Sequence, residues 1–385
     1  MIGILHAYSR TNSGDGLLVD LTLERLARCG ISADDVLLVA LDPDSFTEIP
    51  HRTGAGVRGR GLAWELVPAA GRGAALTASA LSRRPVGGLA AALADCDALV
   101  AVGGGYLRAV DVTSSIGTLL NHMPQLLAAG RSGVPTLYLP QSIGPLVGPV
   151  GTAVRRALAH IDVVCVRDRW SAEDLGRRAN VHQISDLAVL ELAESFEEVE
   201  PVARGGKVGF VARQVDHAPG YEGEVRAVAD DLGSRAIWAV QTEGDRTKSD
   251  AVHYQRLGVD AGGALVDLLA ARDLSVVVSV RLHGALMALR AGVPAIHLAY
   301  DRKGPAAFAD LGLDEWCMDV RSLSRAALAE AVEHLTADPG SYWQRLRART
   351  ESLAAVSLRL DELIRSVLLP DPGRAGKARG SGQIG

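Results

Sequence analysis

Short runs of consecutive apolar residues recur along this chain, separated by stretches whose apolar positions return at helical spacing. The runs predict strands at Ile2–Ala7, Val36–Ala40, Ala98–Val102, Thr136–Leu139 and Val163–Val166. A second set is predicted at Val208–Ala212, Ala236–Val240, Val276–Val280 and Ala295–Leu298. Between them lie helical patterns, among them Leu17–Arg28, Gly117–Ala129, Ser171–Arg178, Gly262–Ala271 and Gly284–Ala291. Strands that are apolar throughout, rather than alternating, belong to parallel sheets covered on both faces by the intervening helices. The acidic stretch ESFEEVEPVARGG, residues 194–206, separates the two sets and reads as a linker. The fold class is therefore α/β, with two doubly wound, Rossmann-like domains facing a cleft, the first over residues 1–195 and the second over 206–340. Residues 341–369 predict a helix, since Leu346, Leu353, Val356, Leu360, Leu363 and Val367 share helical spacing. The Gly-rich tail 370–385 reads as disordered.

Composition narrows the classes. A chain of 385 residues exceeds one ordinary core, and 48% apolar with 22% charged residues is a globular profile. The net charge of -5 argues against bulk binding of nucleic acid or anionic membranes, so any anion site must be built locally. Cys29, Cys96, Cys165 and Cys317 are scattered, with no pair at metal-ligand spacing, and suit a reducing compartment. No run approaches the ~18 apolar residues of a membrane helix, and the start lacks a basic leader and long apolar segment. These features lead us to expect a cytoplasmic protein with no membrane span and no bound metal. Oligomeric state is left open, a homo-oligomer included.

In doubly wound sheets ligands gather beyond the carboxyl ends of strands, where helix N-termini aim free N–H groups outward. Polar residues fall at those places repeatedly. The first strand leads into SRTNSGDG with Asn12, Gly14 and Asp15; Val102 leads into GGGYL; Leu139 into PQSIGP with Gln141; Val166 into RDRWSAEDL with Arg167. In the second set, Arg213 follows one strand, and Arg281 and His283 follow another. Each has an ordinary structural reading. Gly103–Gly105 can serve tight strand-to-helix packing, Asp15 can cap a helix, Asp168 can absorb the charge of Arg167, and Asp301 that of Arg281. Ser171 with Asp174 reads as a capping motif, Asp186 as a crossover residue, and His6, His122 and His297 as structural.

The stretches NSGD (12–15), DALVAVGGGYL (97–107), YLPQSIGPL (138–146), VVCVRDRWSAEDL (163–175), SDLAVL (185–190) and SVRLHGALMALRAGVPAIHLAYDRK (279–303) together resemble the polysaccharide pyruvyl transferases. Ser142 stands where that family more usually has glycine, and the C-terminal region carries none of its motifs. The resemblance implies a fold like that of the two-domain GT-B glycosyltransferases. It also implies transfer of pyruvate from phosphoenolpyruvate to a sugar as a ketal, with the first domain on the acceptor side and the second on the donor side. No cofactor is implied beyond this donor substrate; the acceptor would be a sugar, nucleotide sugar or lipid-linked saccharide.

Phosphoenolpyruvate carries a phosphate and a carboxylate, so it calls for fixed cations. Arg281 is the first candidate because a guanidinium fork binds either anion bidentately. Arg167, Arg213 and Lys303 are expected to assist, with Leu282, Asn12, Gly104 and Gln141 as further substrate contacts. His283 is the expected acid/base group, since ketal formation needs proton delivery to carbon and removal from a hydroxyl. Asp15 is the alternative base toward the acceptor. Arg281, His283, Arg167 and Asp15 are all expected to face the cleft. Two rival readings stand beside this: a nucleotide-sugar glycosyltransferase, for which Glu315 would be the ribose-binding acid, and a non-catalytic glycan-binding relative.

Overall fold

A computed structural model describes residues 1–55, 89–202, 205–243 and 249–369; the expected disordered tail lies outside these, as do Ala203 and Arg204 of the expected linker. The described chain divides into two compact units. Unit 1 comprises Met1–Ser9, Leu18–Ile184 and Ser357–Gly385, and unit 2 comprises Arg10–Leu17 and Ser185–Val356.

Unit 1 is built on a parallel sheet of eight strands: β1 (Ile2–Ala7), β2 (Val36–Ala40), β3 (His51–Gly54), β4 (Ala98–Ala101), β5 (Gly104–Ala109), β6 (Thr136–Leu146), β7 (Val163–Val166) and β8 (Val181–Gln183). Their order is β3-β2-β1-β4-β6-β7-β8, with β5 paired to β6. The β4 and β7 strands are buried at every position, as apolar runs without alternation require. Two expectations give way here. GGGYL does not open a helix; it enters β5, and Gly104 pairs with Gln141. That partner lengthens β6 through the polar stretch PQSIGPL, which is buried strand rather than a loop.

Unit 2 carries β9 (Lys207–Val211), β10 (Ala236–Val240), β11 (Ala261–Ala264), β12 (Leu274–Ser279), β13 (Ala295–Ala299) and β14 (Cys317–Asp319). All pairings are parallel, in the order β11-β10-β9-β12-β13-β14. This is the 3-2-1-4-5-6 order of a Rossmann sheet, which reverses direction between its first and fourth strands. The switch point therefore lies between β9 and β12, whose carboxyl ends lead directly to Arg213 and Arg281. The core beneath is aliphatic, with Val276, Val277, Leu286, Leu289 and Ile296 fully enclosed.

The domain boundaries differ from the sequence expectation in two respects. The division falls at 184/185, ahead of the acidic stretch, because the buried helix Leu187–Glu194 packs as part of unit 2. Residues 10–17, with Asn12 and Asp15, also belong to unit 2, although the chain on either side belongs to unit 1. Their backbone is stitched to the end of β10: the Ser13 amide donates to the Gln241 carbonyl, the Glu243 amide donates to the Thr11 carbonyl, and Asn12 bridges to Thr242. The C-terminal helix runs from Gly340 to Leu368, and from Ser357 onward it groups with unit 1, where Asp361 pairs with the buried Arg25 at 3.0 Å.

Candidate active site

The turn after β12 is shaped by Ser279, whose hydroxyl accepts from the Arg281 amide at 3.1 Å and donates to the Arg281 carbonyl at 2.7 Å. The helix Leu282–Arg290 starts at once, so His283 lies in its first turn. Beneath the turn, buried His297 faces the Ser279 carbonyl through Nδ1 at 2.9 Å, and burial lowers its pKa to about 4. It is therefore a neutral, structural donor. Leu282, expected to meet substrate, instead turns its side chain into the core.

Arg281 is held by a partner that the sequence did not suggest. Its Nη2 and Nε donate to Asp250 Oδ1 at 2.5 and 3.2 Å, while Asp250 Oδ2 accepts the backbone amides of Gln241 and Thr242. Asp250 is fully buried and heads the helix Asp250–Leu257. Both carboxylate oxygens are thus satisfied, which fixes the guanidinium while its Nη1 has no hydrogen-bond partner among the described residues. Asp301, the partner weighed for Arg281, pairs instead with Lys303 at 3.4 Å.

Arg213 follows β9, whose end is pinned by two tyrosines. The Tyr254 hydroxyl accepts the Ala212 amide and donates to the Ala239 carbonyl, and the Tyr221 hydroxyl bonds the Arg213 backbone. The Arg213 guanidinium lies 5.6 Å from the Tyr300 ring centre, and Lys303 Nζ lies 5.7 Å from the same ring. Lys303, with Arg213 and Arg281, draws the Tyr300 phenol below its ordinary pKa against the opposing effect of burial. Among the described residues no carboxylate pairs with Arg213. Arg213 thus adds a positive charge beside the Lys303–Asp301 and Arg281–Asp250 pairs, in a chain that is negative overall.

On the other side of the turn, Asn12 Oδ1 accepts the Gly14 amide and Nδ2 donates to Asp15 Oδ2 at 2.8 Å. Asn12 therefore does the capping that Asp15 was weighed for. Desolvation raises the Asp15 carboxyl above its usual range, opposed first by the attraction of His283. Gly14 packs so closely that a Cβ there would stand 3.0 Å from His283 Cβ and 2.8 Å from Gln241 Nε2. His283 Nε2 is sealed from solvent and lies 3.8 Å from Asp186 Oδ2. From the sequence Asp186 is expected to be only a crossover residue; its place in SDLAVL, heading the helix Leu187–Glu194, is the signal that points to it.

Seven of the expected residues thus lie in unit 2: Asn12, Asp15, Arg213, Arg281, Leu282, His283 and Lys303. The other three, Gly104, Gln141 and Arg167, lie together in unit 1. There the Arg167 amide donates to the Gln141 carbonyl, and its buried side chain donates through Nε to Ser142 Oγ at 2.9 Å. Ser142 in turn donates to Asp168 Oδ2 at 2.7 Å, so the serine that replaces a usual glycine links the arginine to the carboxylate. Asp168, accepting from the Ser171 amide, is the cap of the helix Arg169–Leu175. The Ser171–Asp174 capping expectation fails because Asp174 is taken by the Leu146 amide and Arg155. Both polar atoms of the Gln141 side chain are enclosed without a hydrogen-bond partner.

His6 and His122 form a separate buried cluster in unit 1: their Nδ1 atoms are 3.3 Å apart, and their Nε2 atoms meet the hydroxyls of Tyr138 and Tyr8. Desolvation lowers both, His122 to about 3, so they are neutral structural groups. Glu315 forms an exposed ion pair with Arg345 at 2.9 Å. Among the described residues no group of three or more His, Cys, Asp or Glu is placed to hold a metal, and no helix is long and apolar enough to cross a membrane.

Two parallel Rossmann-like sheets of this order define a protein of the GT-B type. Similar solved structures include MnaA of S. aureus with UDP (12% identity, TM-score 0.53, covering 95% of this chain and 96% of that one). The UDP-GlcNAc 2-epimerase of Neisseria meningitidis bound to UDP-GlcNAc is also similar (12%, TM-score 0.52, 94% and 98%), as is that of Methanocaldococcus jannaschii (11%, TM-score 0.53, 94% and 100%). At such identities the likeness is one of fold. A sequence comparison with curated proteins finds no match. The signature of the polysaccharide pyruvyl transferase family matches residues 12–257, most of the chain, and the protein belongs to that family.

Proposed function

We propose that the protein transfers pyruvate from phosphoenolpyruvate onto two hydroxyls of a sugar in a cell-surface polysaccharide or glycolipid precursor, forming a ketal and releasing phosphate. The observation that carries this reading is the gathering of Arg213, Arg281 and Lys303 around Tyr300, in the unit that also holds His283 and Asp15. A donor with two anionic groups and an enol needs such a cationic floor with a proton-transfer group beside it.

One sugar hydroxyl adds across the enol double bond: its oxygen bonds to C2, a proton is delivered to the methylene carbon, and the hydroxyl proton is taken up. His283 can give the first proton and receive the second, leaving its charge unchanged over the step. The second hydroxyl then bonds to C2 as the C2–O bond to phosphate breaks, its proton leaving with the phosphate. Arg281 and Lys303 stabilise the charge that builds on the departing oxygen. Asp15 is suited to orient an acceptor hydroxyl or take its proton.

The test is to incubate the protein with phosphoenolpyruvate and a panel of nucleotide-linked and lipid-linked sugars, following phosphate release and product mass. A gain in mass equal to a pyruvate ketal, matched by phosphate, is expected for one acceptor. Transfer of a glycosyl group from a nucleotide sugar in its place would refute the reading.

A further inference from the structure

Within that reading, we propose that Asp186 is a positioning residue that fixes the orientation and tautomer of His283, making Nδ1 the nitrogen that exchanges protons with substrate. Asp186 is buried and rigidly placed: Oδ1 accepts the Ala188 amide at 2.9 Å and caps a helix whose residues 187–193 are all buried. Its Oδ2 lies 3.8 Å from His283 Nε2, and Nε2 is enclosed with no hydrogen-bond partner. An enclosed ring nitrogen facing a carboxylate is most stable when it carries the proton, since an N–H directed at Oδ2 offsets the desolvation of that nitrogen.

The opposite edge of the ring differs. Nδ1 faces Gly14, where a Cβ would stand only 3.2 Å away. The absence of a side chain keeps that edge clear, and no described residue hydrogen-bonds Nδ1. Around the ring stand Asp15 from the 12–15 turn, Asp186 from the head of its helix, Arg281 from the same turn, Lys303 from the helix Lys303–Asp310, and neutral His297 from β13. The carboxylate on the Nε2 side thus orients the ring and stabilises it when protonated, while Nδ1 is left for chemistry.

Asp186→Asn keeps an oxygen for the Ala188 amide, so the helix cap and the fold survive; circular dichroism and the amide spectrum check this. Ring-nitrogen NMR of ¹⁵N-histidine protein, assigned with His283→Gln, should show the Nε2-protonated tautomer in the wild type at pH above 7. In Asp186→Asn that preference should be lost. Turnover should fall roughly 10–100-fold with phosphoenolpyruvate affinity unchanged, and Asp186→Glu should recover part of it. The NMR measurement needs no substrate, so it stands even where no acceptor is pyruvylated. A wild-type Nδ1-protonated tautomer, a tautomer unaltered by Asp186→Asn, or a variant that loses donor affinity while keeping turnover would each overturn the proposal.

Discussion

Replacing Asp250 by asparagine tests whether the buried carboxylate is what holds Arg281 in place. Asp250 is fully enclosed and receives four donors: two from Arg281 on Oδ1 and the Gln241 and Thr242 amides on Oδ2. Asparagine keeps one acceptor oxygen and adds two N–H donors. Turned one way, it confronts the Arg281 guanidinium with another donor; turned the other, it strands both backbone amides. Either way, two N–H donors lose their acceptor and the guanidinium loses its counter-charge. Breaking a buried ion pair by removing one partner costs about 3–5 kcal/mol. Arg281 keeps 13% side-chain exposure, which admits some solvent and places the expectation near about 3–4 kcal/mol. For a unit of this size each kcal/mol lowers the midpoint by about 2–4 °C, so thermal unfolding should shift down by roughly 6–16 °C. Differential scanning calorimetry of wild type, Asp250→Asn and Asp250→Ala at one pH and salt concentration measures this, with alanine costing at least as much. A shift below about 2 °C in both variants would refute the argument that this pair is a structural requirement of the site.

Arg281→Ala should weaken phosphoenolpyruvate binding as well as turnover, whereas His283→Ala should lower turnover by ~10²–10⁴-fold with donor affinity nearly intact; calorimetry beside steady-state rates separates them, and near-normal turnover in the His283 variant removes it as the acid/base. Gly284→Ala would drive a Cβ into Gln241 Oε1 and set it 2.8 Å from Ser279 Oγ, and should destabilise by about 1–3 kcal/mol in urea unfolding; an unchanged midpoint would show that Gln241 moves away freely. His297, at about 4, His122, at about 3, and His6 all have folded pKa values below the unfolded value, so the unfolded chain binds more protons once pH drops below about 6.5. Stability should therefore fall between pH 7 and pH 5 by about 2 kcal/mol for each histidine that stays neutral; equal urea midpoints at the two pH values would contradict their burial. Turnover should survive excess chelator, since Arg281 and Lys303 supply the charge for the leaving phosphate; a loss restored only by Mg²⁺ or Mn²⁺ would show that they do not suffice.

Much of this protein is determined locally and is therefore readable along the chain. Strands such as Val163–Val166 and Ala236–Val240 have the predicted limits because an apolar run in a parallel sheet is buried whatever its neighbours are. Arg213, Arg281 and His283 stand out along the chain because polar residues fall just past such runs. The short strands β3, β5, β8, β11 and β14 are not legible in the sequence, where Gly262–Ala264 of β11 reads as the start of a helix, since their positions are exposed, half exposed or glycine-rich and only a pairing partner makes them strands. The same partner effect turned PQSIGPL from loop to buried strand. Tertiary structure alone decided which carboxylate meets which cation. Asp250 reaches Arg281 across 31 residues, and Asp186 reaches His283 across nearly a hundred, while Asp301, the neighbour in sequence, goes to Lys303. It also decided that Asn12 and Asp15 belong with the second unit, because backbone hydrogen bonds to the end of β10 carry no sequence pattern. Burial of an apolar run is a property of the run, whereas an ion pair depends on two positions that only the folded chain brings together.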